Sequence, residues 1–188
     1  MGTVVPYGIF CVFLVLQQRI GGQVRPDVEG WRIVKYQCIG TPYQKTTVHY
    51  CNTLRVSNGT TYLNVSIHVP NKLNFINIAV KMYYKYLTYR PFMLDWNLEA
   101  CHAMRTRRIN PIEQVVVKLF EETIPSMYYP CPHGNKTYTI LWALDAKYSP
   151  KSMPSGDYRI DISFKDRDNV ILLAFQAYAA MRRQGLIG

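Results

Sequence analysis

The sequence lacks the short motifs that mark common hydrolases and metalloproteases. It contains no Gly-x-Ser-x-Gly elbow and no His-Glu-x-x-His pair. Ser155 stands in a Pro-Ser-Gly-Asp stretch, where turn chemistry accounts for it. None of the four histidines has an acid or a nucleophile at a catalytic spacing; these are His49, His68, His102 and His133. We therefore predict that the protein is not an enzyme and that it needs no cofactor.

The N-terminus also lacks an apolar run long enough to cross a bilayer. Residues 9–16 are apolar but number only eight, whereas a spanning helix needs about 20. A short apolar core followed by Gly21-Gly22 is typical of a cleaved secretory signal, and a membrane anchor is the alternative. We predict a signal peptide at 1–22, a single domain at 23–188, secretion from the cell and no stable membrane insertion.

Acidic residues are few, with 12 Asp and Glu against 22 Lys and Arg and a net charge of +10. A basic balance favours nucleic acid or acidic surfaces as partners. The basic residues are scattered, however, apart from short clusters at 105–108 and 182–183. Export from the cell makes nucleic acid an unexpected partner, so we predict a solvated basic face. Fifteen tyrosines suit a half-wet cavity or interface as well as a core.

Cysteines are few but even in number once Cys11 leaves with the signal. The four that remain are Cys38, Cys51, Cys101 and Cys131. An even count in an exported chain predicts two disulfides, with three connectivities open. A metal site from Cys101-His102 and Cys131-Pro132-His133 is the alternative, but this spacing is poor for zinc. We predict no metal.

Three Asn-x-Ser/Thr sequons agree with an exported protein. They are centred on Asn58, Asn64 and Asn135. Asn58-Gly59 is a hairpin signal, and strand alternation places Asn64 on the wet face of its strand. We predict glycans at Asn58 and Asn64, with Asn135 as a third candidate beside Pro132.

Alternating apolar and polar residues predict eight or nine strands. The predicted strands cover residues 31–38, 48–56, 61–69, 75–87, 92–98, 137–148, 158–165 and 170–181. The pattern over 75–87 is the longest, and the nearly all-apolar stretch 170–181 is typical of a central strand. Short spacing without internal repeats predicts a mostly β protein, an antiparallel β-sandwich of immunoglobulin-like type.

One helix interrupts this pattern, at residues 109–122. Asn110 can cap it, Pro111 suits its first position and Glu113 completes a capping box. Its apolar stripe consists of Ile112, Val115, Val116, Leu119 and Phe120. The helix lies between Cys101 and Cys131, so a disulfide-clasped helical insertion is predicted. It could be a lid over a cavity or a plain cover for the core, and the stripe fits both.

Several motifs together resemble one known family. They are residues 50–55 (YCNTLR), 90–94 (RPFML) leading to 99–101 (EAC), 130–132 (PCP) and 153–158 (MPSGDY). Their order is similar to that of an insect-specific family of small secreted four-cysteine proteins, some of which are linked to gustatory and pheromone chemosensation. That family is similar to ML-type lipid-recognition domains and the ganglioside activator protein, β-sandwiches that hold a lipid between their sheets.

The resemblance implies the pairs Cys38–Cys51 and Cys101–Cys131 and an ML-like fold. It also implies an apolar ligand, namely a lipid, a cuticular hydrocarbon or a pheromone, and a membrane receptor as a further partner. The chain departs from the family pattern at Glu99, where the family usually has Asp. It departs again at Tyr128-Tyr129, where the family often has a polar pair.

Apolar strand faces supply the candidate ligand-binding residues. They are Ile78, Val80, Met82, Tyr84, Trp96, Trp142, Ile160 and Phe164. We expect the first four to face the last four across the sandwich, with Tyr84 and Trp96 nearest the clasp. The alternatives are a filled core with no ligand, and an extracellular module that binds another protein through an aromatic surface.

Overall fold

The computed structural model describes residues 30–106, 110–148 and 152–183. The predicted signal peptide, Cys11 and the pair Arg107-Arg108 lie outside the described residues. The strands are β1 Gly30–Cys38, β2 Thr47–Arg55, β3 Thr61–Val69, β4 Asn77–Lys85, β5 Tyr89–Glu99, β6 Lys136–Trp142, β7 Gly156–Lys165 and β8 Ile171–Arg182. The helices are α1 Ala100–Thr106 and α2 Pro111–Thr123, with short 3₁₀ turns at Pro125–Met127 and Ala146–Tyr148.

The strands form two antiparallel sheets. One has five strands in the order β1-β8-β7-β4-β5, and the other has three in the order β2-β3-β6. The predicted fold class, a mostly β protein with antiparallel sheets, is confirmed. β8 lies between β1 and β7, so the central position that its apolar sequence predicted is confirmed.

Side-chain alternation explains how the sheets bury their inner faces. On β3, Leu63, Val65, Ile67 and Val69 are buried, while Asn64 between them is half-buried. On β8 nearly every residue is buried. The inner faces meet in one apolar core, in which the rings of Trp142 and Phe175 lie 5.9 Å apart.

Two disulfides connect the layers, and both have the pairing that the resemblance implied. Cys38–Cys51 joins β1 of the larger sheet to β2 of the smaller. Cys101–Cys131 joins α1 to the segment that leads into β6. We call the end of the sandwich beside Cys101–Cys131 the clasped end, and the opposite end, around Tyr84 and Tyr158, the far end.

Two predicted strands were too long, and the strand predicted to be the longest is not. β4 spans only Asn77–Lys85, and β8, with 12 residues, is longer. The strand predicted over 137–148 stops at Trp142, which pairs with Leu63 near the start of β3. Beyond that point β3 has only two residues left to pair, so the ladder ends.

Helix α1 was not predicted, because its sequence carries no usual cap. The Glu99 side chain takes that role from the end of β5. Its carboxylate accepts from the backbone N–H groups of Cys101 at 3.1 Å and His102 at 2.5 Å, and from Ile76 at 3.2 Å. It thereby satisfies N–H groups that a helix start leaves unpaired.

Candidate apolar cavity

A cavity of about 140 Å³ lies between the two sheets at the clasped end. Its walls are formed by aliphatic and aromatic side chains, with only His133, Tyr128 and Tyr138 bearing polar groups. The lining residues are Ile67, Val69, Leu73, Ile76, Ile78, Leu98, Ala100, Met104, Val117, Phe120, Ile124, Met127, Tyr128, His133, Gly134, Tyr138, Ile140, Phe164, Leu172 and Leu173. Such a lining favours an apolar occupant.

Both sheets and both helices contribute to the walls. Ile78 and Phe164 come from the five-stranded sheet, and Ile67 and Ile140 come from the three-stranded sheet. Helix α2 adds Val117 and Phe120. Since α2 lies between two cysteines that are bonded to each other, it is held over the cavity as part of one closed loop.

Helix α2 is fixed at both ends. At its start, Asn110 and Glu113 form the predicted capping box, with Glu113 N–H donating to Asn110 Oδ1 at 2.9 Å and Asn110 N–H donating to Glu113 Oε2 at 3.1 Å. At its end, Trp142 Nε1 on β6 donates to Thr123 Oγ1 at 2.9 Å. The hydrogen bond to Trp142 therefore ties α2, which covers the cavity, to the three-stranded sheet.

The buried face of α2 differs from the predicted stripe. Val115 is 62% exposed, whereas Val116 and Val117 pack against Trp96 and Leu98 of β5. Which residues of a helix are buried against a sheet depends on the angle at which the helix crosses the strands. Local periodicity in the sequence does not give that angle.

His133 is the polar residue that stands out in the cavity wall. It is only 5% exposed, and neither Nδ1 nor Nε2 has a hydrogen-bond partner. Its backbone is tied to Leu73, donating to the Leu73 carbonyl at 3.0 Å and accepting from the Leu73 N–H at 2.6 Å. Its ring lies 4.2 Å from the Tyr129 ring, centroid to centroid.

Burial is the main cause that lowers the pKa of His133, and the positive charge of Lys136 lowers it further. The Tyr129 carbonyl opposes this shift, but it lies outside hydrogen-bonding geometry with either ring nitrogen. An ordinary histidine has a pKa of about 6.5. The imidazole of His133 is therefore neutral at pH 7.

The neighbouring tyrosines already have partners. The Tyr138 hydroxyl accepts from the Gly134 N–H at 2.7 Å and lies 2.8 Å from the Tyr129 hydroxyl. Burial raises the pKa of Tyr138. Gly134 has a φ of +99°, and a Cβ there would lie 2.0 Å from the Asn71 carbonyl oxygen. The turn after His133 therefore requires glycine, which holds that segment close to residue 71.

Two of the eight predicted ligand-binding residues, Ile78 and Phe164, line the cavity. The other six do not, and they are Val80, Met82, Tyr84, Trp96, Trp142 and Ile160. The expected arrangement across the sandwich was wrong for three of the four partners. Trp96 pairs with Val80, Ile160 with Met82 and Phe164 with Ile78 within one sheet. Only Trp142 belongs to the opposite sheet.

Tyr84 was also predicted at the wrong end. Asn77 pairs with Glu99, which places the start of β4 beside Cys101. Tyr84 lies at the other end of the strand, where its hydroxyl donates to the Ser155 carbonyl at 2.9 Å. The turn between β4 and β5 reverses the chain, so residues just before it lie far from the residues that follow β5.

Sequence reasoning missed most of the lining, including His133 and Tyr138. The signal that pointed to the right place was the helix between Cys101 and Cys131, for which a lid over a cavity was one of the two interpretations left open. Within residues 30–106, 110–148 and 152–183, no group of three His, Cys, Asp or Glu is placed to hold a metal. No helix in the same described part of the chain has the length and apolar content to cross a membrane.

Two solved structures are similar to the chain at low sequence identity. A Niemann-Pick type C2 protein from the Japanese carpenter ant is 11% identical with a TM-score of 0.40, over 78% of this chain and 98% of that chain. Chicken MD-1, solved in complex with lipid IVa, is 10% identical with a TM-score of 0.41, over 80% of this chain and 96% of that chain.

No curated protein matches the chain. The matching family model is described as "Protein of unknown function (DUF1091)", and it covers residues 78–160. This span runs from β4 into β7 and contains both helices and both cysteines of the clasp. The resemblance inferred from the cysteine-flanking motifs is confirmed: from residue 78 to residue 160, the chain is similar to the DUF1091 family.

Proposed function

We propose that this protein binds an apolar small molecule, a lipid or a lipid-like compound, in the cavity at the clasped end. The observation that carries the proposal is an apolar-lined space of about 140 Å³ between the sheets. Protein interiors are close-packed and contain few voids larger than a water molecule. A filled core would not leave this volume.

The volume indicates the size of the group that is held. An engineered apolar cavity of about 150 Å³ in another protein takes up benzene. The present cavity is therefore matched to a six-carbon group or a short segment of an acyl chain. Part of a longer ligand would extend out of the mouth of the cavity, or the ligand would push α2 outward.

The proposal includes export and carriage outside the cell. Disulfides of this kind persist in oxidising compartments, and both are present. Asn58 and Asn135 are exposed and Asn64 is half-buried on β3, so all three proposed glycan sites are open to modification. Through the resemblance to the secreted four-cysteine family, the proposal extends to insect chemosensation, with cuticular hydrocarbons or pheromones as ligands.

A matched pair of substitutions tests the site. Ile78 and Ile160 are both buried, and both lie on the inner face of the five-stranded sheet, but only Ile78 lines the cavity. Ile78→Phe should place its ring in the cavity and abolish binding of benzene and hexane, measured by calorimetry, while the protein stays folded. Ile160→Phe should leave binding intact and lower the free energy of unfolding by about 1–3 kcal/mol.

Equal binding by both variants would contradict the proposal, because the cavity would then not be the binding site. Native mass spectrometry of the protein secreted from insect cells would identify a co-purifying ligand. A filled site in wild type and an empty site in Ile78→Phe would link that ligand to the cavity.

A second candidate function is an extracellular protein-protein contact. An aromatic and cationic cluster on the five-stranded sheet favours it: the Arg159 guanidinium lies 4.3 Å from the Tyr83 ring and 5.1 Å from the Tyr89 ring, and the Lys35 ammonium lies 4.4 Å from the Tyr178 ring. Tyr and Arg are enriched at interfaces.

A cell-binding assay tests the second candidate. Labelled protein would be added to cells of the tissue that secretes it. Binding that Tyr178→Ala abolishes and Ile78→Phe keeps would assign a receptor contact to this surface. Binding that is insensitive to Tyr178→Ala would remove this candidate.

A further inference from the structure

We propose that His133 is the hydrogen-bonding partner of the ligand's one polar group. The cavity would then select an apolar chain that bears a neutral hydroxyl or carbonyl group over a pure hydrocarbon. This inference rests on the proposed function above, and it narrows the ligand from apolar molecules in general to one chemical class.

The first support is the state of the His133 ring. Buried polar side-chain atoms are nearly always hydrogen-bonded. In the described part of the chain, the buried side-chain nitrogens without a partner belong to Trp31, Trp96 and His133. Of these three residues, only His133 lines the cavity, and it leaves two nitrogens unpaired.

The second support is that no neighbouring group of the described residues completes a hydrogen bond with the His133 ring. The Tyr129 carbonyl acts on the pKa of the ring but lies outside hydrogen-bonding geometry with either nitrogen. The Tyr138 hydroxyl is occupied by the Gly134 N–H and by the Tyr129 hydroxyl. The Lys136 ammonium lies 4.6 Å from the Tyr129 ring and 4.7 Å from the Tyr138 ring, so it faces these rings. The imidazole packs against the Tyr129 ring, with the two ring centroids 4.2 Å apart. Even if the Tyr129 carbonyl accepted from one ring nitrogen, the other would still need a partner, which a ligand in the cavity would supply.

The third support is the chemistry of a neutral imidazole, which has one N–H donor and one lone-pair acceptor. A carbonyl oxygen can accept from the donor, and a hydroxyl group can either accept or donate. Because the described lining residues include no cationic side chain and only two tyrosine hydroxyls besides His133, an ionised carboxylate would be stripped of water without a charged partner, which is costly. The match is to one neutral polar group on an apolar chain.

The test compares hexane, hexan-1-ol and hexan-2-one, which share a chain length suited to the cavity volume. Affinities would be measured by calorimetry near neutral pH for wild type, His133→Leu and His133→Asn. Leucine has a volume close to that of histidine but no polar group, whereas asparagine keeps one donor and one acceptor.

We expect His133→Leu to lower the affinity for hexan-1-ol and hexan-2-one by about two- to ten-fold, the effect of one net hydrogen bond. The affinity for hexane should stay the same or increase. His133→Asn should restore part of the preference for the polar ligands. The melting temperature of ligand-free His133→Leu should equal or exceed that of wild type, since the substitution removes two unpaired buried nitrogens.

The outcomes separate this inference from the proposed function. Wild type that binds hexane as tightly as hexan-1-ol, or His133→Leu that keeps the preference for the polar ligands, would overturn the role of His133 and leave the apolar site standing. Wild type that binds none of the three would overturn both proposals.

Discussion

The two ends of the sandwich fill the space between the sheets in different ways. At the far end, Tyr158 is fully buried, with ring centroids 5.1 Å from Tyr84, 5.6 Å from Trp31 and 5.9 Å from Phe92. At the clasped end, mostly aliphatic residues and two helices leave about 140 Å³ unfilled. One inner face thus contains both a packed core and an open cavity. Apolar alternation therefore identifies the inward face of a strand, but it does not show whether other side chains fill the space in front of that face.

The far end is closed by polar contacts as well as by rings. The Tyr158 hydroxyl donates to the Pro154 carbonyl at 2.7 Å, and burial raises the pKa of Tyr158 to about 12. A Cβ at Gly156 would lie 2.5 Å from the Tyr84 ring. This end has no room to spare, and substitutions there should affect stability alone.

Tyr158→Ala should show the largest effect. Truncating a fully buried aromatic ring costs about 3–5 kcal/mol, which chemical denaturation would measure. The affinity of the folded fraction for hexane should not change, because Tyr158 does not line the cavity. A loss below 1 kcal/mol would show that the far end is no better packed than the clasped end.

Removing the clasp should rank second. The residues Cys101 and Cys131 are separated by 30 positions, so replacing both with serine should cost about 3–4 kcal/mol on the chain-entropy model. Hexane affinity should also fall, because α2 loses its closed loop. The control is the double serine variant of Cys38 and Cys51, separated by 13 positions, which should cost about 3 kcal/mol and keep the affinity.

The α2 cap allows a milder test of the lid. Asn110→Ala removes the capping box and should cost about 1 kcal/mol. If α2 covers the cavity, ligand dissociation measured by stopped flow should accelerate. The exposed Asn52 on β2 provides a control, since Asn52→Ala should change neither quantity. An unchanged dissociation rate in Asn110→Ala would mean that ligands leave by a route that does not involve α2.

The smallest expected effect is the pH dependence of stability due to His133. Burial lowers the pKa of His133 in the folded protein, so between that pKa and the unfolded value of about 6.5 the unfolded chain binds more protons. This contribution to stability is complete above about pH 6.5 and is lost as the pH falls below it.

His133→Leu should therefore flatten the stability curve of the ligand-free protein between about pH 7 and pH 5.5. Thermal unfolding across this range would measure the slope. His49→Leu, at an exposed position on β2, is the control and should keep the wild-type slope. An identical slope in wild type and His133→Leu would contradict the assignment of this pH dependence to His133.

The features that could be predicted from the sequence depend on neighbouring residues. The start of α2 follows from Asn110, Pro111 and Glu113, which act within one helical turn. The inward phase of β3 follows from its alternation. The cysteine pairs came from the motif resemblance, and both are present.

The features that could not be predicted depend on residues far apart in the chain. Alternation places Trp96, Ile160 and Phe164 on an inner face, but only strand pairing shows that they share one sheet with Ile78. The burial of His133 depends on packing against Leu73 and Tyr129, which local sequence does not encode. The sequence thus predicts the two-layer fold and the clasp, while the cavity and its polar group follow from tertiary packing.

The edge strand β5 has a consequence for behaviour in concentrated solution. An unpaired strand edge can zip onto the edge of another copy, which leads to aggregation. Here the edge is interrupted: Pro91 has no N–H to donate, Met93 has a φ of 56°, and the register with β4 shifts between Lys81 and Tyr83. The exposed charges of Arg90 and Asp95 add to this protection. These interruptions oppose edge-to-edge polymerisation and favour colloidal stability in concentrated solution.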